Sequence, residues 1–159
     1  PDSGSLGWLS ALLFSTGFQA VTLYRFAHAC SQMGPIGRVL GRILQRCNVL
    51  LSACHIHRNA IISPGLNLPH ATGIVIGAGV QIGSSVTIYQ NVTLGVRSVN
   101  DTTFPCIGDG VTIFAGAVIV GPVQVGNRAI VGANAVVTHD VPSDYLAVGV
   151  PAKSFIRTT

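Results

Sequence analysis

The sequence predicts a mainly β protein: a parallel β-helix of short stacked strands, preceded by two α-helices. Three observations predict it. Aliphatic residues recur every six positions from residue 56 onward, two apolar helical segments flank Gly34-Pro35, and the chain is 48% hydrophobic but only 9% charged. A helix repeats every 3.6 residues and a strand every two. A sustained period of six fits neither. It fits short strands joined by tight corners, each coil hiding its apolar residues against the next.

The 159 residues suit one domain. Residues 1–54 are expected to be helical, 55–142 to form the β-helix with a loop insertion at about 95–106, and 143–159 to close the chain. So apolar a composition implies surface buried between subunits. All five acids are Asp, eight of the nine basic residues are Arg, and the net charge is +4. Polyanions, phosphorylated cofactors and membrane surfaces are permitted partners. Nucleic acid is not expected, because no basic run is interleaved with aromatics. Cys30, Cys47, Cys54 and Cys106 show no CxxC spacing. Reduced thiols and a cytoplasmic location are expected, extending to the inner face of a membrane. The chain begins at Pro1 rather than Met, so sequence upstream is expected.

The first helical segment runs from about Leu6 to Cys30. Its residues 6–23 carry no charge, as a membrane span would. Gly7, Ser10, Ser15, Thr16, Gly17 and Gln19 dilute it, and Arg25 and His28 follow at once, so a buried helix is the expectation. Gly34-Pro35 punctuates the chain, and a second helix follows from about Ile36 to Ala53. There Arg38, Arg42 and Arg46 recur every four residues along one face, either solvated or turned to an anionic membrane surface or lipid-linked substrate. Val39, Leu40, Ile43, Leu44, Val49 and Leu50 supply its apolar remainder.

The repeat is anchored at Ile56, Ile62, Leu68 and Ile74, then at Ile76, Ile82, Ile88 and Leu94, and finally at Ile107, Ile113, Ile119, Val125, Val131 and Val137. Small or β-branched residues follow four positions later, as at Val80, Val111 and Ala117. Two interruptions mark candidate working parts. Between Ile74 and Ile76 the register slips by two, directly after the PHATG stretch. Between Leu94 and Ile107 about seven residues leave the column as a loop.

Several motifs carry a resemblance. GFQAVTLYRFAH (17–28), HIH (55–57), PHATGIVIG (69–77), YQNVTLG (89–95) and AVGVPAK (147–153) together resemble the hexapeptide-repeat acyltransferases. Within that family the chain is similar to serine O-acetyltransferases and to relatives that acetylate capsular or exopolysaccharide sugars. The resemblance implies a left-handed winding, an exception to the usual crossover rule. It implies acetyl-CoA as cosubstrate, no metal, and a homotrimer with its sites between neighbouring columns.

Acetyl transfer to a hydroxyl needs a base, and imidazole, with a reference pKa near 6.5, suits that task. His70 matches the family's base. The turn at Gly95-Val96 matches its oxyanion donor loop. Ala115 and Ala133, 18 residues apart, match positions along the coenzyme A groove, where they either touch the ligand or pack a corner. Lys153 and Arg157 would meet its phosphates. His55 or His57 would orient His70, or is a plain corner residue.

The serine-specific relatives carry Asp at the positions of Pro69 and His55, and an Arg-His pair at Thr103-Phe104. The missing clamps point away from a zwitterionic acceptor and towards a saccharide hydroxyl, with Asn100, Asp101 and Phe104 as its contacts. Asp2 fits one remaining family carboxylate by its spacing from Gly17. The alternative acceptor is serine, in cysteine biosynthesis. A zinc hydratase using His55, His57 and His70 and a noncatalytic scaffold are the readings from other classes.

Overall fold

A computed structural model describes residues 15–157. Helix α1 (Thr16–Ser31) starts where the Ser15 hydroxyl accepts from the Phe18 N–H at 3.3 Å, satisfying one of the donors a helix start leaves free. Helix α2 (Gly34–Ser52) begins with Pro35 in its first turn, where the missing N–H costs nothing. Asp2 and residues 6–14 of the first expected helix lie outside the described residues. No described helix is long and apolar enough to cross a membrane.

The two helices meet through small and polar residues rather than through the apolar side read from the sequence. Ala20, Ala27, Gly37, Gly41, Asn48 and Ser52 are buried, while Val39, Leu40, Ile43 and Leu50 are exposed. The buried Asn48 amide donates to Ala20 O at 2.9 Å, and the Ser52 hydroxyl donates to Asn48 O at 2.7 Å. Hydrogen bonding of this kind makes burial of polar side chains tolerable.

Beyond Ala53 the chain winds into the left-handed parallel β-helix, whose short strands build three sheets. One face stacks β1 (His55–Ile56), β3 (Val75–Ile76), β6 (Thr93–Gly95), β9 (Val118–Val120) and β12 (Val136–Val137). The second stacks β2 (Ile61–Ile62), β4 (Gln81–Ile82), β7 (Cys106–Ile107) and β10 (Gln124–Val125). The third stacks β5 (Thr87–Ile88), β8 (Thr112–Ile113), β11 (Ile130–Val131) and β13 (Tyr145–Gly149), and is closed by the antiparallel β14 (Ala152–Ile156). The second residue of each two-residue strand points inward, so Ile56, Ile76, Leu94, Ile119 and Val137 form one buried row of the core.

The pairing offsets relocate the first interruption. Val75 pairs with Thr93 and Ile76 with Leu94, the regular 18-residue step, but Asn67 bridges to Thr87, a step of 20. The two extra residues therefore lie between Leu68 and Ile74, inside PHATG, and not after Ile74. Ile74 is a buried corner residue stacked with Val92 rather than a strand anchor. The wider corner closes through Gly73, whose φ of +72° disfavours other side chains. A Cβ there would also come within 2.1 Å of Asn91 Oδ1.

Candidate active site

His70 stands on this widened corner with an exposed side chain. Its ring lies 6.5 Å from that of Tyr89 at 53°, and Tyr89 stacks on Phe114 at 5.2 Å and 10°. The three rings climb successive coils, and Phe114 leads into Ala115. Ala115 O accepts from Asn134 N at 2.9 Å, which sets Ala133 on the coil above. Val148 packs beside Gly132 and pairs with Lys153, so the closing hairpin abuts the same edge. Arg157 donates to Arg128 O at 3.2 Å, and Arg128 forms a two-bond ion pair with Asp144 at 2.8 and 2.6 Å. His70, Ala115, Ala133 and Lys153 thus follow the stacking direction of the column.

Gly95 closes β6, and its carbonyl accepts from Gly121 N at 3.0 Å. A Cβ built on Gly95 would meet nothing within 4 Å, so a ligand could approach the backbone there. Among the described residues no acceptor is paired with the Val96 N–H. That leaves a backbone donor of the type that stabilises an oxyanion.

His55 and His57 are engaged elsewhere than His70. His55 Nε2 lies 3.3 Å from Gln45 Nε2, while His57 Nδ1 accepts from Asn59 N at 3.1 Å. Burial, then the charges of Arg58 and His55, lower the pKa of His57 and favour its neutral form. Within the chain His57 is a locally satisfied corner residue. Among the described residues no group of three His, Cys, Asp or Glu side chains is arranged to hold a metal ion.

The three loop residues expected to contact an acceptor are placed as follows. Phe104 is half-buried against the coil, lying over Gly77 and Gly79, where added Cβ atoms would come within 2.8 and 2.3 Å of its ring. It packs the loop to the column because those glycines leave room, and it also lines a cleft with Gln81, Thr102 and Thr103. Asp101 turns back into the loop to accept from Ser98 N at 3.1 Å, and the Asn100 N–H donates to Ser98 Oγ at 3.4 Å.

The GFQAVTLYRFAH motif plays a part that spacing did not reveal. The Tyr24 hydroxyl donates to Ala60 O at 2.7 Å, Arg25 donates to Ile62 O and to Ser63 O, and His28 Nδ1 donates to Arg58 O at 2.8 Å. Three polar side chains on one face of α1 therefore fasten the helix to carbonyls of the first coil. Hydroxyl, guanidinium and imidazole donors recurring at one, three and four residue intervals were the available signal.

A family described as bacterial transferase hexapeptide (six repeats) matches residues 107–139. Among curated proteins, the chain is 43% identical over 148 residues to a serine acetyltransferase of Buchnera aphidicola, covering 92% of this chain and 53% of that one. It is 37% identical over 147 residues to the serine acetyltransferase of Helicobacter pylori, covering 92% of this chain and 85% of that one. A solved serine acetyltransferase in complex with CoA superposes with a TM-score of 0.84 at 37% identity, over 93% of this chain and 60% of that one. The chain spans roughly half to two thirds of the first of its curated relatives.

These relatives overturn the saccharide expectation, since curated proteins between 35% and 43% identical are named serine acetyltransferase. The argument from missing clamps weighed a few positions one by one, whereas the likeness to the serine acetyltransferases runs along 92% of the chain. From the hexapeptide column, the two preceding helices and a relative matched over most of both chains, this chain belongs to the serine acetyltransferase family.

Proposed function

We propose that this chain transfers the acetyl group of acetyl-CoA to the hydroxyl of serine. The observation that carries the reading is the likeness along 92% of the chain to proteins named for that reaction, one of which it spans over 85% of its length. His70 accepts the hydroxyl proton on a ring nitrogen as the serine oxygen attacks the thioester carbonyl carbon. The carbon–sulfur bond then breaks, and the imidazolium returns the proton to the departing thiolate. The Val96 N–H steadies the negative charge on the carbonyl oxygen in between. Its lack of an acceptor among the described residues and the open space at Gly95 support that role. Ala115 and Ala133 leave the column edge shallow for the pantetheine arm, with Lys153 and Arg157 facing its phosphates. Three chains assemble with a site between each pair of columns.

Purified protein given acetyl-CoA and serine should release CoA thiol and form O-acetylserine, followed by absorbance and mass spectrometry. His70→Ala should lower kcat by roughly 10²–10⁴ while leaving circular dichroism and the light-scattering mass of a trimer unchanged. Failure of the wild type to acetylate serine rejects the acceptor. A fully active His70→Ala rejects the base.

A further inference from the structure

Helix α2 and the first coil border an open cleft of about 300 Å³, lined by Arg42, Gln45, Arg46 and Val49 of α2 and by His55 and Arg58 of the coil. Arg42 and Arg46 are four residues apart on the helix and exposed, so they project from one side. Arg58 lies across from them and donates to Gln45 Oε1 at 3.3 Å. Its Nε is buried without a partner. A buried N–H left unpaired gains from any ligand that supplies an acceptor.

No carboxylate of the described residues balances these guanidiniums. The sequence has no acid between Asp2 and Asp101. Each described Asp is committed elsewhere: Asp101 to Ser98 N, Asp109 to Ser84 N, Asp140 to Gln124 N, and Asp144 to Arg128. The lowered pKa of His57, caused first by burial and then by Arg58, reflects the same positive surroundings.

We propose that this cleft binds a small multivalent oxyanion, the phosphate or pyrophosphate group of a soluble metabolite, with Arg42 and Arg46 meeting it from the helix and Arg58 from the coil. A guanidinium presents its donors as a planar fork that matches a phosphate, and three converging forks select for more than one negative charge. A group that engages Arg58 together with the helical pair has to enter the cleft. That favours a soluble phosphate over the headgroups of a flat bilayer. The inference does not rest on the acetyl-transfer reading, although the cleft shares His55 with the residues considered for it.

The test is calorimetric titration of the full chain with inorganic pyrophosphate, at constant ionic strength set by chloride. Saturable binding of one pyrophosphate per chain is expected, weakened about tenfold or more in Arg42→Gln/Arg46→Gln. Both side chains are exposed, so the variant should fold, which circular dichroism checks. Arg38→Gln, on the same helix but outside the cleft, should leave the affinity within about twofold, since it removes charge without removing a contact. Absence of saturable binding overturns the proposal. So does undiminished binding in the double variant, or an equal loss in Arg38→Gln, which would mean a diffuse field. A fourth overturning result is flotation with phosphatidylglycerol vesicles that pyrophosphate does not displace, which would assign the cations to a bilayer.

Discussion

The imidazole of His70 and the phenol ring of Tyr89 stand 6.5 Å apart at 53°, with Tyr89 stacked in turn on Phe114 of the next coil. His70 is exposed on a corner that is two residues longer than its counterparts. Tyr89 is therefore the neighbouring ring wall that limits where the imidazole can swing, and Phe114 holds that wall in place. Tyr89→Ala should cost about 1–3 kcal/mol of stability and lower kcat, because both ring contacts are lost. Tyr89→Phe keeps the stack and should behave as wild type in urea unfolding and in steady-state turnover. If Tyr89→Phe were as impaired as Tyr89→Ala, the hydroxyl rather than the ring would be the working part.

The seat of Phe104 over Gly79 predicts a coupling. Gly79→Ala puts a methyl group within 2.3 Å of the ring and should destabilise the protein by about 1–3 kcal/mol. In a Phe104→Ala background the same change should cost much less, because the obstruction is gone. A double-mutant cycle in urea measures the difference. Additive costs would mean that the loop yields freely and does not pack the ring.

Thiol chemistry should divide by burial. Cys54 is buried, and burial pushes its thiol up to about 12, whereas Cys106 is exposed. At pH near 8 only about one Cys54 in ten thousand would be thiolate. Peptide mapping after brief alkylation should find Cys106 labelled first and Cys54 labelled only in denaturant. Rapid native labelling of Cys54 would contradict its packing.

His57 should make stability depend on pH with a definite sign. Its pKa in the fold lies below the ordinary 6.5 because of burial first, then Arg58 and His55. In the window below 6.5 and above the folded value, the unfolded chain binds the extra proton. Stability therefore rises with pH through that window, is fully present above it, and is lost as pH falls. His57→Gln should flatten the slope in urea unfolding between about pH 5 and about pH 7.5. A nuclear magnetic resonance titration placing His57 above 6.5 would refute the assignment.

Local regularity was legible in the sequence; encounters between distant elements were not. A period of six is a property of neighbouring residues, so the column, its inward rows from Ile56 to Val137 and the loop after Leu94 could be read by counting. The two-residue slip was detectable in the same way. Its position was not, because Ile74 satisfies the spacing whether it ends a strand or fills a corner, and only the pairing of Asn67 with Thr87 and of Val75 with Thr93 separates the two.

Taken alone, the sequence determined that this chain stacks short coils after two helices, that it resembles acetyl-transfer proteins, and that His70 lies in an irregular turn. Tertiary structure decided what surrounds those features. It fastened Tyr24, Arg25 and His28 to carbonyls of the first coil, turned Phe104 inward, and faced Arg42 and Arg46 towards Arg58. The physical reason is that periodicity sets which side of its own element a residue occupies. The residue it meets depends on how the helix pair lies on the column, a geometry accumulated over all the intervening turns and corners.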